Sequence, residues 1–227
     1  MELSKRLKAI ADMVEEKTSA DIGTDHGYLP IYLVKEKGLE KVIACDVNKG
    51  PLKKAEENIS AFNVGDRIQT RLGNGLEKVS PGEVECITIS GMGGMLIISI
   101  LKDGIETVKS AGRLILQPQH DIPRVREYIM SIGFKIDKED MLIDEGKYYT
   151  VISAVKGEDT AYSNIELMFG RKLIETKNIY LKKYLDHRMK KLETIAMKIK
   201  EGGSEDNDRL KDIYEEHRLC KEVEKWL

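Results

Sequence analysis

The feature that most constrains this 227-residue chain is an alternation of short apolar runs with helix-like patterns across residues 18–132. Between the runs, apolar residues recur at the three-and-four spacing of an amphipathic helix. Strands that alternate with helices predict a parallel, doubly wound α/β sheet, because parallel neighbours need a crossover connection. The predicted strands occupy residues 20–22, 42–45, 67–72, 84–89 and 114–116.

The pattern changes after residue 132. Residues 134–143 and 148–155 have the composition of strands, and the turn sequence DEGK joins them at 144–147. Two strands with so short a connection predict a β-hairpin. The hairpin adds an antiparallel edge to the mostly parallel sheet.

The pattern becomes purely helical after residue 157. A mainly apolar seam continues at coiled-coil spacing through 174–199, and a weaker seam follows through 210–227. The sequence EGGS at 201–204 predicts a helix stop and a new N-cap. Because the connection is short, we expect an antiparallel, coiled-coil-like helical hairpin. The chain therefore divides into two predicted domains, 1–157 and 158–227.

The stretch DIGTDHGYLP at 21–30 links the first predicted strand to the next helix. Gly23 and Gly27 permit close approach of the backbone to a ligand, and a helix start offers free N–H groups. The dinucleotide fingerprint G-x-G-x-x-G is absent, because Asp25 stands at its second glycine and would repel a pyrophosphate. These residues favour a nucleoside-type ligand that carries positive charge. The alternative is an ordinary strand-to-helix turn capped by Asp.

Polar and glycine residues also follow the other predicted strands. In a doubly wound sheet, ligands bind at the carboxyl ends of the strands, near the point where strand order reverses. Clustering at that edge favours a ligand site over a purely structural turn. Besides the 21–27 loop, the clustered residues are Asp46, Asn74, Gln117 and the segment 90–94.

Composition and charge limit the classes of partner that the chain can have. The formal net charge is −2, so a nucleic-acid partner requires a local basic patch. The three cysteines lack C-x-x-C spacing and a nearby histidine cluster, which argues against metal binding and disulfides. No apolar run is long enough for a signal peptide or membrane span. We therefore expect a cytoplasmic protein with no metal and no membrane partner.

Two groups of basic residues are candidates for RNA contact. Tyr180 and Tyr184 lie among the second group and are available for base stacking. The alternative for the second group is ion pairing with the acidic last helix and otherwise solvated faces. The candidates are Lys5 and Arg6 in the first helix, and Lys172, Lys182, Lys183 and Arg188 in the C-terminal region.

Five motifs together resemble those of the bacterial tRNA (adenine-22-N1) methyltransferases. The motifs are SKRL at 4–7, DIGTDH at 21–26, NKGP at 48–51, SGMGG at 90–94 and LILQP at 114–118. The resemblance covers essentially the whole chain. It implies a class I S-adenosylmethionine-dependent methyltransferase with a Rossmann-like domain and a C-terminal coiled-coil domain. The implied substrate is tRNA, methylated at N1 of adenine 22 to give 1-methyladenosine.

The resemblance also implies which residues bind the cofactor. The 21–27 loop would hold the methionine end, Asp46 would accept the ribose hydroxyls, and Asn74 with Gly75 would bracket the adenine. Family members often carry Asp in place of Asn74, whose carbonyl oxygen can still accept from the adenine amino group. The implied cofactor-binding residues are Asp21, Gly23, Thr24, Asp25, Gly27, Asp46, Val47, Asn74, Gly75 and Gly91.

The segment SGMGG replaces the Asp/Asn-Pro-Pro-Tyr motif of many amino-group methyltransferases. Small residues and Met92 would then place backbone carbonyls and a soft thioether near the base. N1 of adenine has a lone pair, so its direct attack needs no prior deprotonation, and Asp25 could stabilise the cationic product. Stacking or proton handling would fall to His26 and Tyr28. The candidate catalytic residues are Asp25, His26, Tyr28 and Met92.

Three other functions stay open at the level of the sequence. The first is methylation of another RNA or of a small molecule, which the pocket residues alone do not distinguish. The second is a non-catalytic RNA-binding protein that uses the helical hairpin. The third is a nucleotide-dependent oxidoreductase, which the missing glycine fingerprint disfavours.

Overall fold

The computed structural model describes residues 1–201 and 207–227. The chain forms two compact units, Met1–Thr160 and Ala161–Leu227. No helix of the described residues is long and apolar enough to cross a membrane.

The first unit is built on a seven-stranded sheet with the order β3-β2-β1-β4-β5-β7-β6. Strands β1 to β5 are parallel, while β7 pairs antiparallel with both β5 and β6. This topology confirms the predicted mostly parallel sheet with an antiparallel edge hairpin. The strands are β1 (Thr18–Ile22), β2 (Lys41–Asp46), β3 (Ile68–Leu72), β4 (Cys86–Met92), β5 (Arg113–Pro118), β6 (Phe134–Asp144) and β7 (Lys147–Lys156).

Helices cover both faces of this sheet. Their positions between the strands agree with the predicted alternation of strands and helices. The helices are α1 (Lys5–Met13), α2 (Tyr28–Lys35), α3 (Lys49–Ala61), α4 (Gly94–Asp103), α5 (Ile105–Ser110) and α6 (Ile122–Ser131).

The core lies between the central strands and the helices. Ile31, Val42 and Ile87 are fully buried in it, and so are Cys86 and Leu114. The other two cysteines are also buried and unbonded. Burial raises the pKa of the Cys45 thiol to about 12, so this side chain behaves as a small apolar group.

The switch point of the sheet lies between β1 and β4. Strand β1 pairs with β2 on one side and with β4 on the other, so the connections run in opposite directions from this pair. A crevice therefore opens where the pairing of these two strands ends, at Ile22 and Ile89. The predicted ligand-binding loops lie at this edge.

The second unit is helical, and its long helices form the predicted antiparallel hairpin. Arg188 of one helix pairs with Glu216 of the other, and further along the first helix the Lys200 ammonium lies 5.4 Å from the centre of the Tyr214 ring, so the numbering runs in opposite directions along the two helices. The helices are α7 (Asn164–Phe169), α8 (Arg171–Glu175), α9 (Ile179–Glu201) and α10 (Asn207–Glu224).

One helix boundary differs from the prediction. The apolar spacing predicts an unbroken seam from Ile174, but α8 ends at Glu175 and α9 begins at Ile179. The Asn178 side chain accepts hydrogen bonds from the backbone N–H groups of Tyr180 and Leu181, at 2.9 and 3.2 Å, and so caps the new helix. The predicted stop and N-cap at 202–204 lie outside the described residues.

Candidate active site

The loop after β1 begins at a buried carboxylate. Asp21 is 3% exposed, and its Oδ1 accepts a hydrogen bond from the Thr88 hydroxyl on β4 at 3.0 Å. Burial raises the pKa of Asp21 to about 6, against the opposing effect of the hydrogen bond from the Thr88 hydroxyl. A carboxylate held in this environment gains from a positively charged partner, because such a partner offsets the lost solvation.

Gly23 and Asp25 both have left-handed backbone conformations, with φ of 78° and 53°. The N–H groups of Gly23 and Thr24 both donate to the carbonyl of Cys45 at 2.9 Å, which fixes the turn against β2. A Cβ on Gly23 would lie 2.3 Å from Cε of Met92. The left-handed backbone therefore favours glycine at this position, whereas the contact with the end of the flexible Met92 side chain adds only a local constraint.

Asp46 supports the same loop from the end of β2. Its Oδ2 accepts from the N–H of Asp25 at 3.1 Å, and its Oδ1 accepts from the N–H of Asn48 at 2.8 Å. A carboxylate offers about four lone-pair positions, so each oxygen keeps one for a ligand. Val47, next in the chain, is 61% exposed.

A cavity of about 300 Å³ opens at the switch point. The Thr24 hydroxyl is buried in its wall and has no hydrogen-bond partner within residues 1–201 and 207–227. Such an orphaned polar atom fits a bound ligand. The lining includes Arg6, Asp21, Gly23, Thr24, Asp25, His26, Tyr28, Ser90, Gly91 and Met92.

Five predicted cofactor residues lie outside the lining of this cavity. A Cβ on Gly27 would lie 3.1 Å from Cβ of Ala55, so Gly27 faces α3 and lets α2 and α3 approach each other. Asn74 and Gly75 line a second cavity of about 500 Å³ beside α4 and α5. The other two residues are Asp46 and Val47. Asp46 is linked to the first cavity by its hydrogen bond to the Asp25 N–H, and Val47 follows Asp46 at the end of β2.

His26 and Tyr28 lie at the rim of the first cavity. Their rings are tilted with centroids 6.0 Å apart, and both side chains are exposed. The Nε2 atom of His26 is 3.6 Å from the Asp25 carboxylate, while the His26 carbonyl accepts from the Asn58 side chain at 2.9 Å. These rings are therefore accessible to a planar group that enters from solvent.

The end of β5 and the turn after it hold two glutamines whose contacts the sequence pattern did not indicate, although it placed Gln117 at the predicted ligand edge. Gln117 is fully buried, and its Oε1 accepts from Nη1 of Arg6 at 3.0 Å and from the N–H of Gly91 at 3.1 Å. Gln119 donates through Nε2 to the Gly91 carbonyl at 2.8 Å and through its N–H to the Met92 carbonyl at 2.9 Å. Their only sequence signal is the polar QPQ that ends an apolar strand.

The backbone carbonyls expected near the base are therefore already hydrogen-bonded. Gly91 and Met92 both direct their oxygens to Gln119. The sequence pattern does not indicate this contact, because the partner comes from a loop 28 residues away in sequence.

The predicted RNA-contacting residues separate into three kinds. Lys5, Lys182 and Lys183 are exposed. Arg188 forms a two-bond ion pair with Glu216 at 2.6 and 2.8 Å, and Lys172 pairs with Glu175 at 2.8 Å. The sequence predicts Arg6 on a phosphate-facing surface, but its guanidinium lines the cavity.

Comparison with known proteins agrees with this geometry. The family described as "Methyltransferase domain" matches residues 3–152. The tRNA (adenine(22)-N(1))-methyltransferase of Bacillus subtilis (strain 168) is 34% identical over 98% of this chain and 97% of its own.

Two solved structures are similar over nearly their full length. A Streptococcus pneumoniae protein in complex with S-adenosyl-L-methionine is 32% identical, with a TM-score of 0.88 over 98% of this chain and 100% of its own. TrmK of M. capricolum in complex with S-adenosyl-homocysteine is 29% identical, with a TM-score of 0.87 over 99% of this chain and 98% of its own.

The reversal of strand order, the acidic loop after β1 and the acidic end of β2 define a class I methyltransferase. Similarity to the Bacillus subtilis enzyme extends through the helical second unit. The chain belongs to the family of bacterial tRNA (adenine(22)-N(1))-methyltransferases.

Proposed function

We propose that this protein is an S-adenosylmethionine-dependent methyltransferase that forms 1-methyladenosine at N1 of adenine 22 in tRNA. The substrate and product follow from the family and from the name of its Bacillus subtilis relative. The observation that carries the proposal is the cavity at the switch point. It joins the buried Asp21, the glycine turn and the orphaned Thr24 hydroxyl.

The residues present fit the cofactor. When bound, S-adenosylmethionine supplies a methyl group on a positively charged sulfur. Asp21 and Asp25 provide negative charge in the cavity, and Thr24 provides a free hydroxyl. The remaining lone pairs of Asp46 would accept the ribose hydroxyls, and the Asn74 amide oxygen would accept from the adenine amino group.

The strand end after Ser90 suits attack by a ring nitrogen. Amino-group methyltransferases grip the exocyclic nitrogen with side-chain and backbone oxygens, whereas the Gly91 and Met92 carbonyls here each already accept one hydrogen bond from Gln119. N1 has an available lone pair and needs orientation rather than a general base. Orientation can lower a barrier by about 7–11 kcal/mol in well-aligned systems.

The rim residues act on the target base. Tyr28 and His26 stack on the adenine once it leaves its helix, which offsets an unstacking cost of a few kcal/mol. Asp25 stabilises the positive charge that develops on the methylated ring. Met92 packs beside Gly23 and limits the depth to which the base enters.

The second domain and the exposed lysines grip the tRNA. The proposed domains are 1–157 for methyl transfer and 158–227 for RNA contact. Lys5, Lys182 and Lys183 are exposed and available to phosphates, which attract them at long range. The enzyme acts in the cytoplasm, where its tRNA substrate is found.

The test is mass spectrometry of nucleosides from a tRNA transcript incubated with the protein and S-adenosylmethionine. We expect 1-methyladenosine from a transcript with adenine 22 and none from a matched transcript with guanine at that position. Product from both transcripts would indicate a different target. Absence of methylation in every RNA tried would contradict the proposed activity.

A further inference from the structure

The turn that follows β5 packs against the two glycines that end the segment 90–94. The backbone N–H of Gly94 donates to the His120 carbonyl at 3.1 Å, and a Cβ on Gly94 would lie 2.6 Å from that oxygen. A Cβ on Gly93 would lie 2.6 Å from Cε1 and 2.7 Å from Nε2 of the His120 ring. The two glycines therefore leave the space that the turn and the ring occupy. This space comes directly after Met92, which lines the cavity at the switch point.

The His120 ring has one nitrogen that is already bonded and one that is available. Its Nδ1 lies 2.7 Å from Oδ2 of Asp121. Because an ionised carboxylate only accepts hydrogen bonds, Nδ1 carries the proton of the neutral ring and Nε2 presents a lone pair. In the part of the chain that the structure describes, Nε2 has no hydrogen-bond partner, and the side chain is 67% exposed. His120 therefore offers one oriented acceptor to a ligand.

This acceptor lies beside the strand end that is proposed to receive the target base. The carbonyls of Gly91 and Met92 each already accept one hydrogen bond from Gln119. The same turn therefore uses one residue to occupy the backbone acceptors of the segment and the next residue, His120, to supply a side-chain acceptor.

Adenine and guanine differ in the group that an acceptor at this place would meet. Adenine has an amino group, N6, on the carbon next to N1, and this group donates hydrogen bonds, whereas guanine has an acceptor oxygen there. A base that presents N1 to the site therefore presents its sixth-position group close by. We propose that Nε2 of His120 accepts a hydrogen bond from N6 of the target adenine and so favours adenine over guanine. This inference rests on the proposed function, and it assigns a specificity role to a residue outside the cavity lining.

The test compares two tRNA transcripts that differ by one amino group, with adenosine or purine riboside at position 22. Purine riboside keeps N1 and lacks N6. Filter binding to the full-length protein is measured with S-adenosylhomocysteine present, at about pH 8, where histidine side chains are ordinarily neutral. We expect wild type to bind the adenosine transcript about 3- to 10-fold more tightly, as for one hydrogen bond. His120→Ala should bind both transcripts about equally, with the affinity that wild type has for purine riboside.

Two further variants separate this contact from other roles of a ring. His120→Gln retains a side-chain acceptor and should keep part of the preference for adenosine. His26→Ala removes a rim ring that is proposed to stack, so it should weaken binding of both transcripts by the same factor. Binding of the purine riboside transcript also reports that each variant is folded.

Equal affinity of wild type for the two transcripts, or an unchanged preference in His120→Ala, would overturn the contact with N6. Equal losses for both transcripts in His120→Ala would also overturn it and would favour stacking or a phosphate contact. Failure of the wild-type protein to methylate the adenosine transcript would defeat the proposed function and this inference together. Normal methylation without a preference for N6 would defeat this inference alone.

Discussion

At the residue scale, the site uses each carboxylate for a different purpose. Asp21 is buried beneath the loop and bonded to Thr88, whereas Asp25 is exposed at the cavity. Asp46 fixes the backbone of Asp25 and still has lone pairs for a ligand. Residues of one type therefore differ in role because their solvation and hydrogen-bond partners differ.

Replacing Asp46 tests its assignment to the ribose. Asp46→Ala removes the acceptor for two backbone N–H groups and for the hydroxyls, so we expect S-adenosylhomocysteine to bind about 10- to 100-fold more weakly. Isothermal titration calorimetry measures the loss. Asp66→Ala, at an exposed turn, is the matched control. Unchanged affinity in Asp46→Ala would refute the ribose assignment.

The buried Asp21 predicts a pH dependence of stability. Its pKa in the folded state, about 6, lies above the ordinary value of 3.8, so the folded state binds the extra proton between these values. The free energy of unfolding of wild type, relative to Asp21→Asn, should therefore fall as pH rises, on the order of 1 kcal/mol between pH 5 and 7. Urea titrations of both proteins measure it. A relative stability that rises over this interval would contradict the raised pKa.

At the element scale, glycines set how closely the helices pack. Gly27 and Gly38 both have a left-handed backbone, with φ of 74° and 76°. A Cβ on Gly27 would lie 3.1 Å from Cβ of Ala55 and 3.3 Å from its Cα, whereas a Cβ on Gly38 would meet nothing within 4 Å. The two positions therefore separate backbone strain from helix packing.

Alanine substitutions at these glycines test that separation. Gly38→Ala should lower the free energy of unfolding by about 1 kcal/mol, the cost of a left-handed alanine. Gly27→Ala should lower it by about 1–3 kcal/mol more than Gly38→Ala does, because α3 presents backbone that yields little. Urea denaturation followed by circular dichroism measures both. Equal losses would show that the contact between α2 and α3 adapts freely.

Charge on α9 gives a second prediction at this scale. We expect the double variant Lys182→Glu, Lys183→Glu to bind tRNA about tenfold or more weakly. We also expect the slope of log affinity against log salt concentration to become shallower by about two, because about two fewer counterions are released on binding. Filter binding at several salt concentrations measures this, and calorimetry should show unchanged cofactor affinity. Equal tRNA affinity would favour the alternative of a solvated face.

At the scale of the whole molecule, ligand binding should raise the free energy of unfolding. S-adenosylhomocysteine at about 100 times its dissociation constant should add about 2.7 kcal/mol to the folded state, whereas NAD should add none. A thermal melt of the full chain measures the shift. Stabilisation by NAD without S-adenosylhomocysteine would favour the oxidoreductase instead.

Much of the fold could be predicted from the sequence because its signals are local. The period of the apolar residues indicated the strands and helices, and the hairpin turn indicated the antiparallel edge. The exception in the second unit, the break at Asn178, is a capping effect. An asparagine in a seam has the same spacing whether it lies inside a helix or ends one.

The residue types that form the candidate site could also be predicted from the sequence. The loop 21–27 and the polar strand ends at Asp46 and Asn74 predicted a binding edge, since parallel strands place their carboxyl ends together. Only the tertiary structure decided that Gly27 faces α3, that Gln119 bonds the Gly91 and Met92 carbonyls, and that Arg6 lines the cavity. These outcomes depend on contacts between residues as far as 138 positions apart, which strand order and helix packing determine. The local sequence determines which chemical groups lie near the candidate site, and long-range packing determines which residues each group contacts.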